Sequence, residues 1–150
     1  MNNEASSGAS RISIAEFNRI AAAGLPLVQL FGLSVERLEA GRAMGRMAAG
    51  GHNLRPGGTV AGPALMALAD YTMYAVVLSM IGPVEMAVTT SLTCNFLRRP
   101  PLADVIADGR IIKCGKRLAY GEVTLYSQGD NDPVAHVTAT YAIPPERATS

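Results

Sequence analysis

The chain has 150 residues, a formal net charge of +1, two cysteines and two histidines. That balance excludes the basic face of a dedicated nucleic-acid-binding protein, and Cys94, Cys114, His52 and His136 have no metal-ligand spacing, so no metal site is expected. Hydrophobic residues at 49 % against 17 % charged give one core-forming domain apolar enough to favour an obligate oligomer.

Residues 1–11, MNNEASSGASR, are polar and lack an apolar signal core. They read as a disordered tail without export, and two reduced thiols in strand-like runs fit a cytoplasmic location. Residues 12–145 form the single domain, and 146–150 a C-terminal tail. Ile12–Ala23 places Ile14, Phe17, Ile20 and Ala21 on one helical face, with Ser13 as cap and Glu16 three residues on. Gly24-Leu25-Pro26 ends that helix, and Val28–Phe31 adds a further turn. Leu33–Leu38 and Arg42–Ala48 read as strands joined by the tight turn EAGR.

The glycine-rich stretch AGGHNLRPGGT then feeds Pro63–Ile81, whose apolar residues cover the whole helical circumference. Such a helix is buried on every side. Pro63 suits its first position, with Gly62 as cap, and Gly82-Pro83 stops it. Its length borders on the roughly 20 residues of a membrane span, but Asp70 near its middle is costly in lipid. The flanks carry no basic cluster, so the expectation is a core helix and no membrane.

Four strand-like runs follow without a crossover helix, which predicts an antiparallel sheet. Alternation puts Val88, Thr90, Leu92, Cys94 and Phe96 on one face of the first, and Val105, Ala107 and Ile111 on one face of the second. In the third, Leu118, Tyr120, Thr124 and Tyr126 oppose Ala119, Val123 and Leu125. The fourth is Val134–Ile143, with Val137 and Tyr141 opposite Thr138 and Thr140. The fold class is α+β: one apolar helix covered on one side by a curved sheet, its other side left for a second subunit.

Asp70 is the only acid in that helix. A buried carboxylate needs partners, and it either pins structure, for example with Arg55, or performs chemistry. Met73 and Tyr74 share its side of the helix, with Met66 and Val77, and either line a pocket or pack on the sheet. The helix start offers unpaired N–H groups and positive dipole, though Pro63 contributes no donor. Gly62 and Asp70 stand about 12 Å apart along one helix, so one helix cannot present both to a single carbon. Two antiparallel helices about a twofold axis can.

Leu33 to Ile143 resembles the hotdog-fold acyl-CoA thioesterases of the phenylacetic-acid-degradation type. The resemblance rests on PGGTVAGPALMALAD, on AVTTSLTCNFLRRP and on GKRLAYGEVTLYSQGDNDPVAHVTATYAIP. It implies a long helix wrapped by a curved antiparallel sheet, a homodimer or dimer of dimers, and hydrolysis of an acyl-CoA with no cofactor beyond the coenzyme A of the substrate. The His-Gly-Gly of that family falls on Ala61-Gly62-Pro63, and its carboxylate on Asp70. Its assisting Ser/Thr falls on Thr89, with Thr90 beside it. Its asparagine falls on Arg55, with Asn53 two residues away. The resemblance also places coenzyme A phosphates near Arg98, Arg99, Lys116 and Arg117. The missing histidine, second glycine and asparagine leave open a non-catalytic acyl-CoA-binding protein. A hydratase or dehydratase on the same fold is a further alternative, although no histidine stands in or at the cap of this helix.

Overall fold

The computed structural model describes residues 8–50, the backbone of 54–55, and 58–145. Residues 1–7 of the expected N-terminal tail, the expected C-terminal tail 146–150, and the candidate residues His52 and Asn53 lie outside the described residues.

Helix α1, Ile14–Gly24, starts on the anticipated capping box. The Ser13 hydroxyl accepts the Glu16 N–H at 3.1 Å, and the Glu16 carboxylate accepts the Ser13 N–H at 3.3 Å. Phe17 and Ala21 are its buried face. The short α2, Leu27–Phe31, ends at Gly32, whose φ of 66° is left-handed, a conformation glycine adopts without penalty. Strands β1 (Leu33–Glu39) and β2 (Arg42–Met47) pair antiparallel. A two-stranded ribbon, β3 (Leu54–Arg55) with β4 (Thr59–Val60), lies within the glycine-rich stretch read from sequence as loop. Helix α3 runs Gly62–Ile81, followed by β5 (Val88–Phe96), β6 (Val105–Cys114), β7 (Leu118–Ser127) and β8 (Ala135–Ala142).

Among the described residues the main sheet has six strands in the order β1-β2-β6-β7-β8-β5, with every pairing antiparallel. The architecture is the α+β hotdog arrangement, a central helix held in a curved sheet. The sheet approaches α3 closely because its inward face is built from small residues, among them Ala43, Gly45, Ala107, Gly109, Ala119 and Gly121. The Met73 side chain occupies the space a Cβ at Gly121 would fill, and Thr72 does the same at Gly45. The Thr72 hydroxyl donates to the Leu68 carbonyl, and the Ser79 hydroxyl accepts the Gly41 N–H. These buried polar groups are therefore paired.

Helix α3 is long and apolar enough to cross a membrane, yet 72 % of its apolar window is buried inside the fold. Its burial is not complete. Pro63, Met66, Ala67, Asp70 and Tyr74 keep contact with solvent, and their three-to-four-residue spacing draws one stripe along the helix. The sheet wraps the other faces, and Phe17 of α1 reaches Tyr71 and Tyr74 from the side.

Two local expectations are corrected. The cap of α3 is Ala61, with φ −68° and ψ 142°, and Gly62 is already helical. An extended cap needs no glycine, which frees Gly62 to stand in the first turn. In β5, strict alternation fails at a bulge between Thr89 and Ser91 in the pairing with β8. The extra residue, Thr90, reverses the phase. Thr89, Leu92 and Cys94 turn inward, while Val88 and Thr90 are exposed.

Candidate active site

The bulge brings Thr89 to Asp70. Thr89 and Tyr141 are register partners across β5 and β8, and both hydroxyls point at one carboxylate oxygen. Thr89 Oγ1 donates to Asp70 Oδ1 at 2.7 Å, and the Tyr141 hydroxyl donates to the same atom at 2.6 Å while lying 3.1 Å from the Asp70 carbonyl oxygen. Among the described residues Asp70 Oδ2 has no partner. One oxygen is clamped, and the other is left for a ligand. The Tyr141 phenol is pushed far above its ordinary value, first by burial and then by the Asp70 charge and hydrogen bond. It is a neutral donor throughout the physiological range.

Asp70 opens onto a cavity of about 570 Å³. Its apolar wall comes from α1, the loop after it and the start of α2 (Ile20, Leu25, Leu27), from Tyr71 and Tyr74 on α3, and from Met86 and Val88 before and in β5. Tyr74 stacks on Tyr141 with ring centroids 6.1 Å apart and donates its hydroxyl to the Glu85 carbonyl at 3.0 Å. Burial, then the Glu85 charge, raises the Tyr74 phenol. Of the four pocket candidates on α3, Tyr74 lines this cavity, whereas Met66 is exposed outside it and Val77 is fully buried. Met73 is fully buried against Gly121 and takes the packing alternative.

The remaining candidates are dispersed. Gly62 is two turns from Asp70 on the same helix, under the exposed ring of Phe96, and its N–H has no acceptor among the described residues. The Arg98 guanidinium is engaged by Asp130 at 3.0 Å and Asp132 at 2.9 Å, whereas Arg99 is exposed without an ion pair among the described residues. Lys116 and Arg117 line a second cavity with Lys113, Leu118, Tyr120 and Thr140. Thr140 lines that cavity and Tyr141 the first, so the two open on opposite faces of β8. The backbone of Arg55 lies in β3. His136 lies on the outer sheet face, 3.0 Å from Glu122, and no group of His, Cys, Asp and Glu among the described residues could hold a metal ion.

Tyr141 is the site residue that sequence reasoning missed. Alternation places it only on one face of the last strand with Val137, opposite Thr138 and Thr140. A signal was present, since a buried tyrosine hydroxyl needs a partner and Asp70 was the one acid expected in that core.

Fold and site together define a hotdog protein with a hydrogen-bonded carboxylate on its central helix. The family model of the thioesterase superfamily matches residues 57–134, and the chain belongs to that superfamily. A crystal structure of a candidate thioesterase from a Silicibacter species is 36 % identical, covers 93 % of this chain and 96 % of its own, and superposes with a TM-score of 0.82. A variant of the phenylacetic acid degradation protein PaaI from Thermus thermophilus is 28 % identical over 79 % of this chain and 99 % of its own, with a TM-score of 0.71. A thioesterase from Haemophilus influenzae, 15 % identical over 89 % of this chain and 92 % of its own at a TM-score of 0.79, shares the fold. No curated protein matches the chain. Membership of the superfamily points to thioester hydrolysis as the class of reaction.

Proposed function

We propose that the chain hydrolyses the thioester of a small or medium acyl-CoA, as a PaaI-like enzyme of the cytoplasm, at two equivalent sites shared across a homodimer. The observation that carries this reading is the Asp70 carboxylate, clamped through Oδ1, without a partner on Oδ2 among the described residues, on a residue that lines the cavity. Such a group can take a proton from a water that attacks the thioester carbonyl, or attack that carbon itself. In the first route the water oxygen bonds to carbon and its proton passes to Asp70. The C–S bond then breaks, and the departing coenzyme A sulfur takes up a proton. In the second route an Asp70 oxygen bonds to the carbonyl carbon as the C–S bond breaks and the coenzyme A thiolate leaves to take up a proton; water then cleaves the short-lived anhydride, releasing the acid and restoring the Asp70 carboxylate. Developing charge on the carbonyl oxygen needs a donor, and the Gly62 N–H of a partner subunit supplies it.

Support for the partner comes from two surfaces. The stripe of α3 through Met66, Asp70 and Tyr74 is left at least partly exposed by the described residues. Strand β5, the sheet edge beside it, has no charge and no proline in VTTSLTCNF and exposes Val88 and Phe96. An edge without such protection invites pairing with a second copy. That pairing yields a dimer, or a dimer of dimers. For coenzyme A, Arg99, Lys116 and Arg117 remain candidate phosphate ligands, joined by Asn53 and Arg55 near the helix start. Arg98 serves only by leaving Asp130 and Asp132.

The test is steady-state hydrolysis of an acyl-CoA panel by the wild type and Asp70→Asn, read by release of the coenzyme A thiol. The expected result is turnover of at least one short or medium ester and a loss of about 100-fold or more in the variant. Binding of the panel without turnover by the wild type would replace the enzyme with a binding protein. Hydration of an enoyl-CoA would replace the reaction class.

A further inference from the structure

We propose that Tyr74 is a positioning residue of this site, its ring holding Tyr141 where the Tyr141 hydroxyl reaches Asp70. The role rests on the thioesterase reading above and adds to it a side chain that acts on the carboxylate through another.

Tyr141 has the longest of the inward side chains of β8, and its neighbours on the sheet are short. Its register partners are Ala119 on β7 and Thr89 on β5, and Ala139 precedes it on the same face. Only Ile143, past the end of the strand, is larger. A ring standing among such neighbours can swing within its rotamer well, and the hydroxyl lies at the far end of the lever. The restraint comes from the helix. The Tyr74 ring lies 19° from parallel to the Tyr141 ring with centroids 6.1 Å apart, within the range in which aromatic pairs attract beyond their burial.

Tyr74 is itself held from three directions. Helix α3 fixes its backbone one turn on from Asp70. The Phe17 ring of α1 packs on it with centroids 5.7 Å apart, and its hydroxyl donates at 3.0 Å to the Glu85 carbonyl in the connection before β5. The bond between Tyr141 and Asp70 joins β8 to α3, and the stack of Tyr74 on Tyr141 spans the same gap one turn further along. A displacement of about 1 Å at a reacting group can cost about 100-fold in rate, and a shift of that size would break the 2.6 Å bond to Oδ1. The helix itself does not ask for a ring at this half-buried position, because leucine has the better helix propensity. The flat partner facing Tyr141 is what the aromatic supplies.

The experiment uses the full chain and compares Tyr74→Leu, Tyr74→Phe and Tyr141→Phe with the double variant Tyr74→Leu/Tyr141→Phe. Tyr74→Gln, which also lacks a ring, takes the place of the leucine variant should that one not fold. Loss of the ring is expected to lower kcat about five-fold or more, and Tyr74→Phe, which keeps the stack, to recover most of that loss. In the Tyr141→Phe background the same loss of ring should change kcat by less than about two-fold, because the hydroxyl it positions is already gone. Tyr74 also lines the cavity, so a rise in KM is expected alike in both backgrounds and kcat is the readout. A second measurement needs no turnover: nuclear magnetic resonance of protein labelled at the tyrosine Cζ carbon, with the Tyr141 signal assigned by its absence in Tyr141→Phe. Tyr74→Leu should move that signal toward its position in Asp70→Ala, and Tyr74→Phe should leave it in place. An unmoved Tyr141 signal in Tyr74→Leu, or an equal fall in kcat in both backgrounds, overturns the positioning role while the thioesterase reading stands. Should the wild type hydrolyse no ester, a moved signal would uphold the positioning and overturn the enzyme, and an unmoved one would overturn both.

Discussion

Removing the Tyr141 hydroxyl tests whether the clamp on Asp70 matters to the chemistry. Tyr141→Phe deletes the 2.6 Å bond to Asp70 Oδ1 and the approach to the Asp70 carbonyl, while the ring stays stacked on Tyr74. A hydrogen bond to a charged group contributes about 1.5–3 kcal/mol. If it acts by holding Oδ2 toward the reacting carbon, its loss lowers kcat by about 10- to 150-fold. KM should change little, because the hydroxyl faces the carboxylate and not the acyl wall. Thr89 still donates to Oδ1 in this variant, and Tyr141 still does in Thr89→Val. Each single substitution thus leaves one donor in place, and the double variant should lose more than the two effects combined. The assay is initial-rate hydrolysis of the best ester of the panel over a range of concentrations, with thermal unfolding as a check on the fold. A folded Tyr141→Phe protein with kcat within two-fold of the wild type would refute the reasoning, because the clamp would then be structural only.

Two predictions concern stability. A Cβ on Gly121 would meet the Met73 side chain and lie 2.6 Å from the Arg110 carbonyl oxygen, which belongs to the backbone and cannot swing away. Gly121→Ala should therefore destabilise the fold by about 1–3 kcal/mol, a fall in Tm of about 3–10 °C for a chain of this size. An unchanged Tm would mean that the helix lies further from the sheet than described. At Asp104 the Ala49 N–H and then Arg46 hold the carboxyl below its ordinary value. A lowered folded value contributes stability above the unfolded carboxylate value of about 4, and that contribution is lost as pH falls through the folded value. Asp104→Asn should start less stable at pH 7 and lose less on acidification, and urea midpoints measured from pH 7 to pH 3 would show parallel curves if the pairing had no such effect.

The parts of this fold legible in the sequence were those set by local chemistry. The all-round apolarity of Pro63–Ile81 announced a wrapped helix, Ser13 and Glu16 announced the start of α1, and alternation in β7 and β8 divided each strand into its two faces. The site was legible only as far as Asp70, which stands out as a single acid in an apolar run. Thr89 came from resemblance, since straight alternation through β5 groups Thr90 with Leu92 and Cys94 and leaves Thr89 on the other face. A bulge is a property of two paired strands, and nothing within VTTSLTCNF marks it. Tyr141 lies 71 residues from Asp70, and no local pattern connects them. The route that was open is polar accounting. An apolar helix with one acid, wrapped by strands whose inward face is mostly Ala, Gly and Val, has few hydroxyls with which to satisfy that acid. The inward tyrosine of the last strand is then the natural donor.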